Sequence, residues 1–408
     1  NPHMASRTSS GIPVASRISG FSYAIRNIVA EARKVEAAGR KVRYLNIGDP
    51  IIFGFETPPH LVDAVEKAIR DGHNGYAPSV GIPAAREAVA AECTRRGMPL
   101  DADRAVITAG TSEGIELALT ALAGPGDDVL LPSPTYPLYT AVLAKIGARP
   151  VFYPTDPSRG WVPDVQEVRR LVTPSTRALV AIDPNNPTGA SYPNDVRRGL
   201  LEIADDCNIP LLADEVYADL AFDGAVNAIG SLNPDAPVIT FSSLSKAYLA
   251  PGWRSGWLAV GRTDRLDDVL AGIKKLADGR LCSTAPMEYA IVAALDGDRT
   301  HQQRFREALR ERADVTAARL NGIEGMSVVR PSAAFYAMPK VTLPPGATDE
   351  DYVLALLRAT GVLCVYGSGF GARPEDGFFR VVFLAPPAEL SQIYDLVADF
   401  TQQFLYRS

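Results

Sequence analysis

Lys246 stands in the run "TFSSLSKAYLAPGWRSGW", residues 240–257, behind three serines and eight residues ahead of Arg254. An amine becomes a nucleophile or a base only after losing its proton, and a free lysine, with a pKa near 10.4, is almost wholly protonated at neutral pH. Desolvation and a neighbouring cation both lower that value. A segment fit for burial, closed by a Pro-Gly turn and an arginine, is a setting in which a lysine could do chemistry. Taken alone, the residue has a plainer reading as a surface lysine that snorkels to water.

Four further stretches sit at the ends of short apolar runs: "AGTSEG" (109–114), "PSPTYPLY" (132–139), "DPNNPTG" (183–189) and "ADEVY" (213–217). Each has an ordinary explanation as well as a chemical one. "AGTSEG" is neither G-x-G-x-x-G nor a loop followed by a Walker-type lysine, so dinucleotide and nucleoside-triphosphate sites fit poorly. It is a helix start that could be no more than a capped turn, or that could offer N–H groups to a phosphate monoester. Asp214 and Glu215, directly after an apolar strand, could be cap or salt-bridge residues, or a buried aspartate could hold a cation such as a protonated ring nitrogen. Tyr136 and Tyr217 could be half-buried aromatics, and "NNPTG" is by itself a good turn. In sequence order, however, a phosphate cup, an aromatic platform, an Asn-Pro turn, an acidic strand end and a serine-flanked lysine match the needs of one cofactor, pyridoxal 5'-phosphate.

These residues need a scaffold. "AVITA" (105–109), "DVLLP" (128–132), "RALVAI" (177–182), "PLLAD" (210–214), "PVITF" (237–241) and "GWLAV" (256–260) have the length and β-branching of buried strands. Between them "SEGIELALTALAG", "YPLYTAVLAKIG" and "PNDVRRGLLEIADDCN" read as helices, with Gly124 and Gly147 as C-terminal caps. Such alternation predicts a mostly parallel sheet with helices on both faces, and a ligand site beyond the carboxyl ends of the strands. "GFSYAIRNIVAEARKVEAAG" reads as an N-terminal helix, and a long helical stretch near 264–296 leads to a C-terminal part of long helices and short strands such as "RVVFL". The expected division is residues 1–16 as an expression remnant and disordered start, with "NPHM" ahead of a native Met4. Residues 17–71 and 297–408 then form a smaller α+β domain around a large domain at 72–296.

The 408 residues are 47% hydrophobic and 22% charged, with a net charge of -6. That size makes about two domains the expectation. No basic stretch would track nucleic-acid phosphates or an acidic membrane surface. The four cysteines, Cys93, Cys207, Cys282 and Cys364, lack C-x-x-C spacing, and only four histidines accompany them. A zinc cluster is therefore not expected, and reduced thiols in a cytoplasm are.

From "YAIRN" (23–27) through "LNIGDP" (45–50), "GYAPSVGIPAAREAV" (75–89), "DPNNPTG", "DEVY" and "SLSKAYLAPGWR" (243–254) to "FRVVFL" (379–384), the chain resembles the class I, fold-type I aminotransferases. The resemblance is to the branch that contains bacterial and archaeal alanine aminotransferases, and it extends over essentially everything after Arg17. It implies an α/β fold whose large domain carries a mostly parallel seven-stranded sheet between helices. It further implies that Lys246 forms an imine with pyridoxal 5'-phosphate, that Asp214 pairs with the ring nitrogen, and that Asn186 and Tyr217 bond the phenolic oxygen. Tyr136 would stack on the ring. Gly110, Thr111, Ser112, Ser243, Ser245 and Arg254 would surround the phosphate.

Arg380 would grip the substrate carboxylate as a planar fork. Gly48 would let the N-terminal segment close over the substrate, with Tyr23 and Arg26 nearby. Tyr76 would reach the phosphate of a neighbouring subunit, making a homodimer with composite sites, although a buried turn tyrosine is the other reading. Arg280 could supply a cation for a distal carboxylate; for it and for Arg26 a salt bridge is the alternative. The activity implied is ping-pong transfer between an L-amino acid, alanine first, and a 2-oxo acid, 2-oxoglutarate first. Aspartate or aromatic transamination, a lyase reaction on the same lysine, and an inactive sensor domain are the competing readings.

Overall fold

The computed structural model describes residues 11–406, so the expected remnant and disordered start lie largely outside the described residues. Its centre is one mixed sheet of eight strands: β1 (Ala105–Thr108), β2 (Asp128–Ser133), β3 (Arg149–Asp156), β4 (Val162–Pro163), β5 (Thr176–Ile182), β6 (Leu211–Asp214), β7 (Val238–Ser243) and β8 (Gly256–Val260). The spatial order is β1-β8-β7-β6-β5-β2-β3-β4. All neighbours from β7 across to β3 pair in parallel, whereas β8 runs antiparallel to both β1 and β7, and β4 is an antiparallel edge. The inner strands are buried on both faces, which their runs of Val, Ile, Leu and Ala require.

One apolar cluster covers each face, with α1 (Gly110–Leu122) and α2 (Pro137–Ile146) on one side and α3 (Asn194–Asp206) on the other. Both ends of the chain build smaller sheets beside this layer. Arg43–Tyr44 pairs in parallel with Val362–Leu363, and Phe379–Val382 lies between Tyr336–Ala337 and Val365–Tyr366. Among the described residues no helix is long and apolar enough to cross a membrane.

Seven strands of the main sheet meet the expected number, and the two-residue β4 adds an eighth. β3 carries no strand signal because Pro150 and Pro154 interrupt it, and prolines are tolerated near a sheet edge where ladder donors are not required. Gly147 does cap α2 with φ 81°. Gly124 does not cap α1, which ends a turn earlier at Leu122 with an extended Ala123 following. The N-terminal helix is broken into Ala24–Asn27 and Val29–Ala37 after a 3₁₀ turn at Ser16–Gly20. The stretch near 264–296 is likewise two helices, Asp267–Gly279 and Ala285–Asp296, separated where Leu281 takes φ 74°.

Register places the strand ends level. Ile182 lies opposite Asp214, Asp214 opposite Phe241, and both Thr108 and Ser243 opposite Gly256. The turn after β5 is braced by a buried ion pair, in which Arg197 Nε donates to Asp183 Oδ2 at 2.6 Å while Asp183 Oδ1 accepts from the Tyr192 N–H at 3.0 Å. Burial pushes the Asp183 carboxyl above its ordinary range, and Arg197 opposes that push. Removing one partner strands the other charge. Arg197→Met should therefore lower the unfolding free energy by about 3–5 kcal/mol in a urea titration, and a second change, Asp183→Asn, should recover part of the loss.

Candidate active site

The loops leaving β1, β2, β5, β6 and β7 enclose a cavity of about 540 Å³, open to solvent on one side. Lys246 enters it three residues past the end of β7, from a tight turn in which the Ser245 N–H donates to Ser243 Oγ at 3.2 Å and the Leu249 N–H to the Lys246 carbonyl at 3.2 Å. Leu249 and Arg254 both take positive φ, 55° and 48°. Non-glycine residues in that region carry strain, which clusters at functional sites. The lysine Nζ donates to the Gly48 carbonyl at 2.9 Å and lies 5.6 Å from the centre of the Phe335 ring. The one lysine among the residues that line the cavity is thus held by the N-terminal segment.

One wall of the cavity is a cradle whose groups suit an anion. α1 begins at Gly110, whose φ is 76°, and a Cβ there would stand 2.3 Å from Arg254 Nη2, so only glycine lets the guanidinium lie against the helix start. The Thr111 hydroxyl is buried and has no hydrogen-bond partner among the described residues. Ser112, Ser243 and Ser245 line the same wall. Arg254 Nη1 donates to the Pro251 carbonyl at 2.8 Å and to Ser245 Oγ at 3.3 Å, and no carboxylate among the described residues neutralises it. Free N–H groups at a helix start, hydroxyls and a guanidinium together suit a phosphate.

Asp214, 3% exposed at the end of β6, lines the same cavity. Its Oδ2 accepts from the Tyr139 hydroxyl at 2.9 Å and its Oδ1 from the Val216 N–H at 3.4 Å. Burial pushes its pKa up to about 6, with the Tyr139 bond pulling the other way. No cation among the described residues pairs with it. Arg380, 1% exposed on Phe379–Val382, is in the opposite condition. Its Nη1 donates to Asn186 Oδ1 at 3.0 Å and its Nη2 to the Asn46 carbonyl, yet Nε has no partner. The rings of Tyr336 and Phe370 face the guanidinium carbon at 4.6 and 4.9 Å. Burial lowers its pKa from the usual value, against the pull of the surrounding phenols. Two tyrosine pairs complete the walls: Tyr23 donates to the Tyr136 hydroxyl, and the hydroxyls of Tyr217 and Tyr336 meet, both at 2.8 Å.

The cavity therefore brings together Tyr23, Arg26, Gly48, Thr111, Ser112, Tyr136, Asn186, Asp214, Tyr217, Ser243, Ser245, Lys246, Arg254 and Arg380, with Gly110 directly behind the cradle. Two expected residues lie elsewhere. Tyr76 is 83% exposed on the surface of its own chain. Arg280 is tied to Glu113 at 2.9 Å and donates to the carbonyls of Ser79 and Ile107, which makes it a salt-bridge residue and not a cation for a distal carboxylate in its own chain. Tyr139 and Tyr336 belong to the site without having been expected there. The first offered only its place one helical turn after Tyr136, and the second lies in "FYAM", which reads as core.

The sequence pattern of the family described as "Aminotransferase class I and II" matches residues 40–395, and the chain belongs to that family. It is 36% identical over 397 residues to the alanine aminotransferase of Mycobacterium tuberculosis, spanning 95% of this chain and 92% of the relative. It is also 36% identical to the glutamate-pyruvate aminotransferase AlaA of Escherichia coli, over 92% of this chain and 94% of that protein. The solved structure of an alanine aminotransferase from Pyrococcus furiosus superposes with a TM-score of 0.93 at 38% identity, covering 96% of this chain and all of the other. The family depends on pyridoxal 5'-phosphate, and the residues of the cavity fit that group. The orphaned Thr111 hydroxyl and the Gly110–Arg254 cradle suit its phosphate, the unpaired Asp214 its ring nitrogen, and the Lys246 amine its aldehyde.

The Asp214 charge has a stability cost in the cofactor-free chain. Its folded pKa of about 6 exceeds the ordinary 3.8, so the folded state binds the proton more tightly and this group favours folding below pH 3.8. That contribution is lost as pH rises through 6. The difference corresponds to about 3 kcal/mol. Asp214→Asn should raise the unfolding free energy of the cofactor-free chain by up to that amount at pH 8 and by almost nothing near pH 3.5. Urea titrations at the two pH values check this.

Proposed function

We propose that this chain is a pyridoxal 5'-phosphate-dependent transaminase that exchanges an amino group between an L-amino acid, alanine, and a 2-oxo acid, 2-oxoglutarate, in a ping-pong cycle. The observation that carries the reading is the joint presence, in one cavity, of the Lys246 amine, a buried carboxylate and a buried guanidinium that have no counter-ions among the described residues. Bound pyridoxal 5'-phosphate supplies an electron sink for the charge left when the substrate α-proton departs.

The protein's own part is to orient and to move that proton. Thr111, Ser112, Ser243, Ser245, Arg254 and the N–H groups beginning at Gly110 would hold the phosphate. Asp214 would keep the ring nitrogen protonated, Asn186 and Tyr217 would bond the phenolic oxygen, and Tyr136 would lie against the ring. The Lys246 amine would hold the aldehyde end of the group and, when free, would serve as the base that carries the substrate α-proton. Arg380 takes the substrate carboxylate in a two-pronged grip, which fixes the C–H bond relative to the ring.

The hydrogen-bonded Tyr23 and Tyr136, which line the cavity with Arg380, would leave room for a small side chain such as that of alanine. The more exposed Arg26, which also lines the cavity, would meet the second carboxylate of 2-oxoglutarate. Exposed Tyr76 fits a homodimer in which it completes the neighbour's phosphate site.

Mixing the holoenzyme with a panel of amino acids and reading the cofactor absorbance tests the substrate assignment. L-alanine and L-glutamate should convert the bound cofactor to its amino form, and pyruvate and 2-oxoglutarate should reverse it. Faster conversion by aspartate or tyrosine would make it an aspartate- or aromatic-type enzyme, and ammonia release without an oxo-acid acceptor would make it a lyase. Lys246→Ala should lose at least about a thousandfold in turnover while still binding cofactor. Arg380→Ala should raise KM for alanine by roughly a hundredfold, about 2.7 kcal/mol, with cofactor affinity little changed. Loss of activity on dilution, rescued by concentration, would support the composite site, and a fully active monomer would refute it.

A further inference from the structure

Tyr336 meets four parts of the site, three through its side chain and one through its backbone carbonyl. It is 2% exposed and lines the cavity from the short strand Tyr336–Ala337, which pairs with the strand carrying Arg380. Its hydroxyl meets the Tyr217 hydroxyl at 2.8 Å, with the two rings at 90° and 5.6 Å between centres. Its ring lies 4.6 Å from the Arg380 guanidinium carbon. A Cβ on Gly48 would stand 2.2 Å from its hydroxyl oxygen, and the Gly48 carbonyl is the acceptor for Lys246. Its own carbonyl closes on Gly189 of the Asn-Pro turn, where an added Cβ would come within 2.4 Å.

A phenol has one O–H to give and lone pairs to receive. Tyr217 therefore has a choice of where its single proton points, and the neighbour that settles the choice is Tyr336. If Tyr336 donates into the Tyr217 oxygen, the Tyr217 proton is left for an acceptor inside the cavity, and the two bonds polarise one another. The wedge against Gly48 fixes the Tyr336 hydroxyl in place for this. Its ring has a separate task, since an aromatic face attracts a guanidinium and limits its movement.

We propose that Tyr336 is a positioning residue with two separable parts: a hydroxyl that aims the Tyr217 proton at the phenolic oxygen of the bound cofactor, and a ring that holds Arg380 ready for the substrate carboxylate. The proposal rests on the cofactor reading above and adds a residue to it. The charged and titratable groups around the hydroxyl are Tyr217 after β6, Tyr136 before α2, Tyr23 from the N-terminal segment, Arg380 on the adjoining strand and Lys246 after β7. A donor aimed at the phenolic oxygen stabilises its negative charge most once the neighbouring nitrogen has lost its proton, so losing that donor makes the proton harder to remove.

The test is a pH titration of the visible absorbance of the resting holoenzyme, run beside steady-state kinetics. In Tyr336→Phe the midpoint should rise by about 0.5 pH unit or more, with KM for L-alanine within about twofold of wild type. Tyr336→Leu should add a rise in KM of roughly tenfold. In a Tyr217→Phe background the phenylalanine change at 336 should produce no further shift, because its route through Tyr217 is gone. A Tyr336→Phe protein that titrates like wild type, or a shift that persists in the Tyr217→Phe background, overturns the proposal. A wild-type protein that takes up no pyridoxal 5'-phosphate and shows no such absorbance instead overturns the cofactor reading beneath it.

Discussion

A carboxylate and a guanidinium, Asp214 and Arg380, are buried in one cavity without a counter-ion for either among the described residues. Burying a charge is costly unless an opposite charge or hydrogen bonds meet it, as the ion pair of Asp183 and Arg197 and the hydrogen bonds to Asp349 and Glu288 do. Under the proposed function, a ring cation would answer Asp214 and a substrate carboxylate Arg380.

Holding that arrangement falls to the sheet. Because β1, β5, β6 and β7 end level in register, the residues just past them converge although they are scattered over more than a hundred positions of sequence. The antiparallel β8 between β1 and β7 brings Arg254 back to the start of α1. Glycine at 110 is what permits the two to touch. The strained φ of Leu249 and Arg254 follows Lys246 in the chain, which is consistent with a turn shaped for the amine and not for its own comfort.

The substrate half of the cavity has a different origin. Arg380 and Tyr336 come from the C-terminal strands, and Tyr23, Arg26 and Gly48 from the N-terminal segment. The two ends are joined to each other by the pairing of Arg43–Tyr44 with Val362–Leu363. Contacts such as Lys246 to the Gly48 carbonyl and Tyr217 to Tyr336 tie this layer to the sheet. The cofactor side and the substrate side are therefore built by different parts of the chain, and the hydroxyl pair is one of the places where they meet.

The order of motifs along the chain singled out Lys246 and Asp214, and the family resemblance those motifs carry added Asn186, Arg254 and Arg380 as expectations. β-branched runs likewise announced the inner strands, which burial on both faces makes apolar throughout. Local pattern could not announce β3, whose prolines are acceptable only because it lies toward an edge, nor the break at Leu281. It could not tell that Arg280 is consumed by Glu113 while Arg380 is left unpaired, since both are arginines near apolar residues and the difference is which carboxylates the fold carries to them. Tyr139 and Tyr336 were silent for the same reason: a tyrosine in a helix or a short strand looks like core until the tertiary structure sets its hydroxyl beside an aspartate or another phenol. Residue chemistry and spacing were thus fixed by the chain itself, whereas the pairing of charges and hydroxyls across distant segments was decided only by folding, because those energies depend on distances that no local window contains.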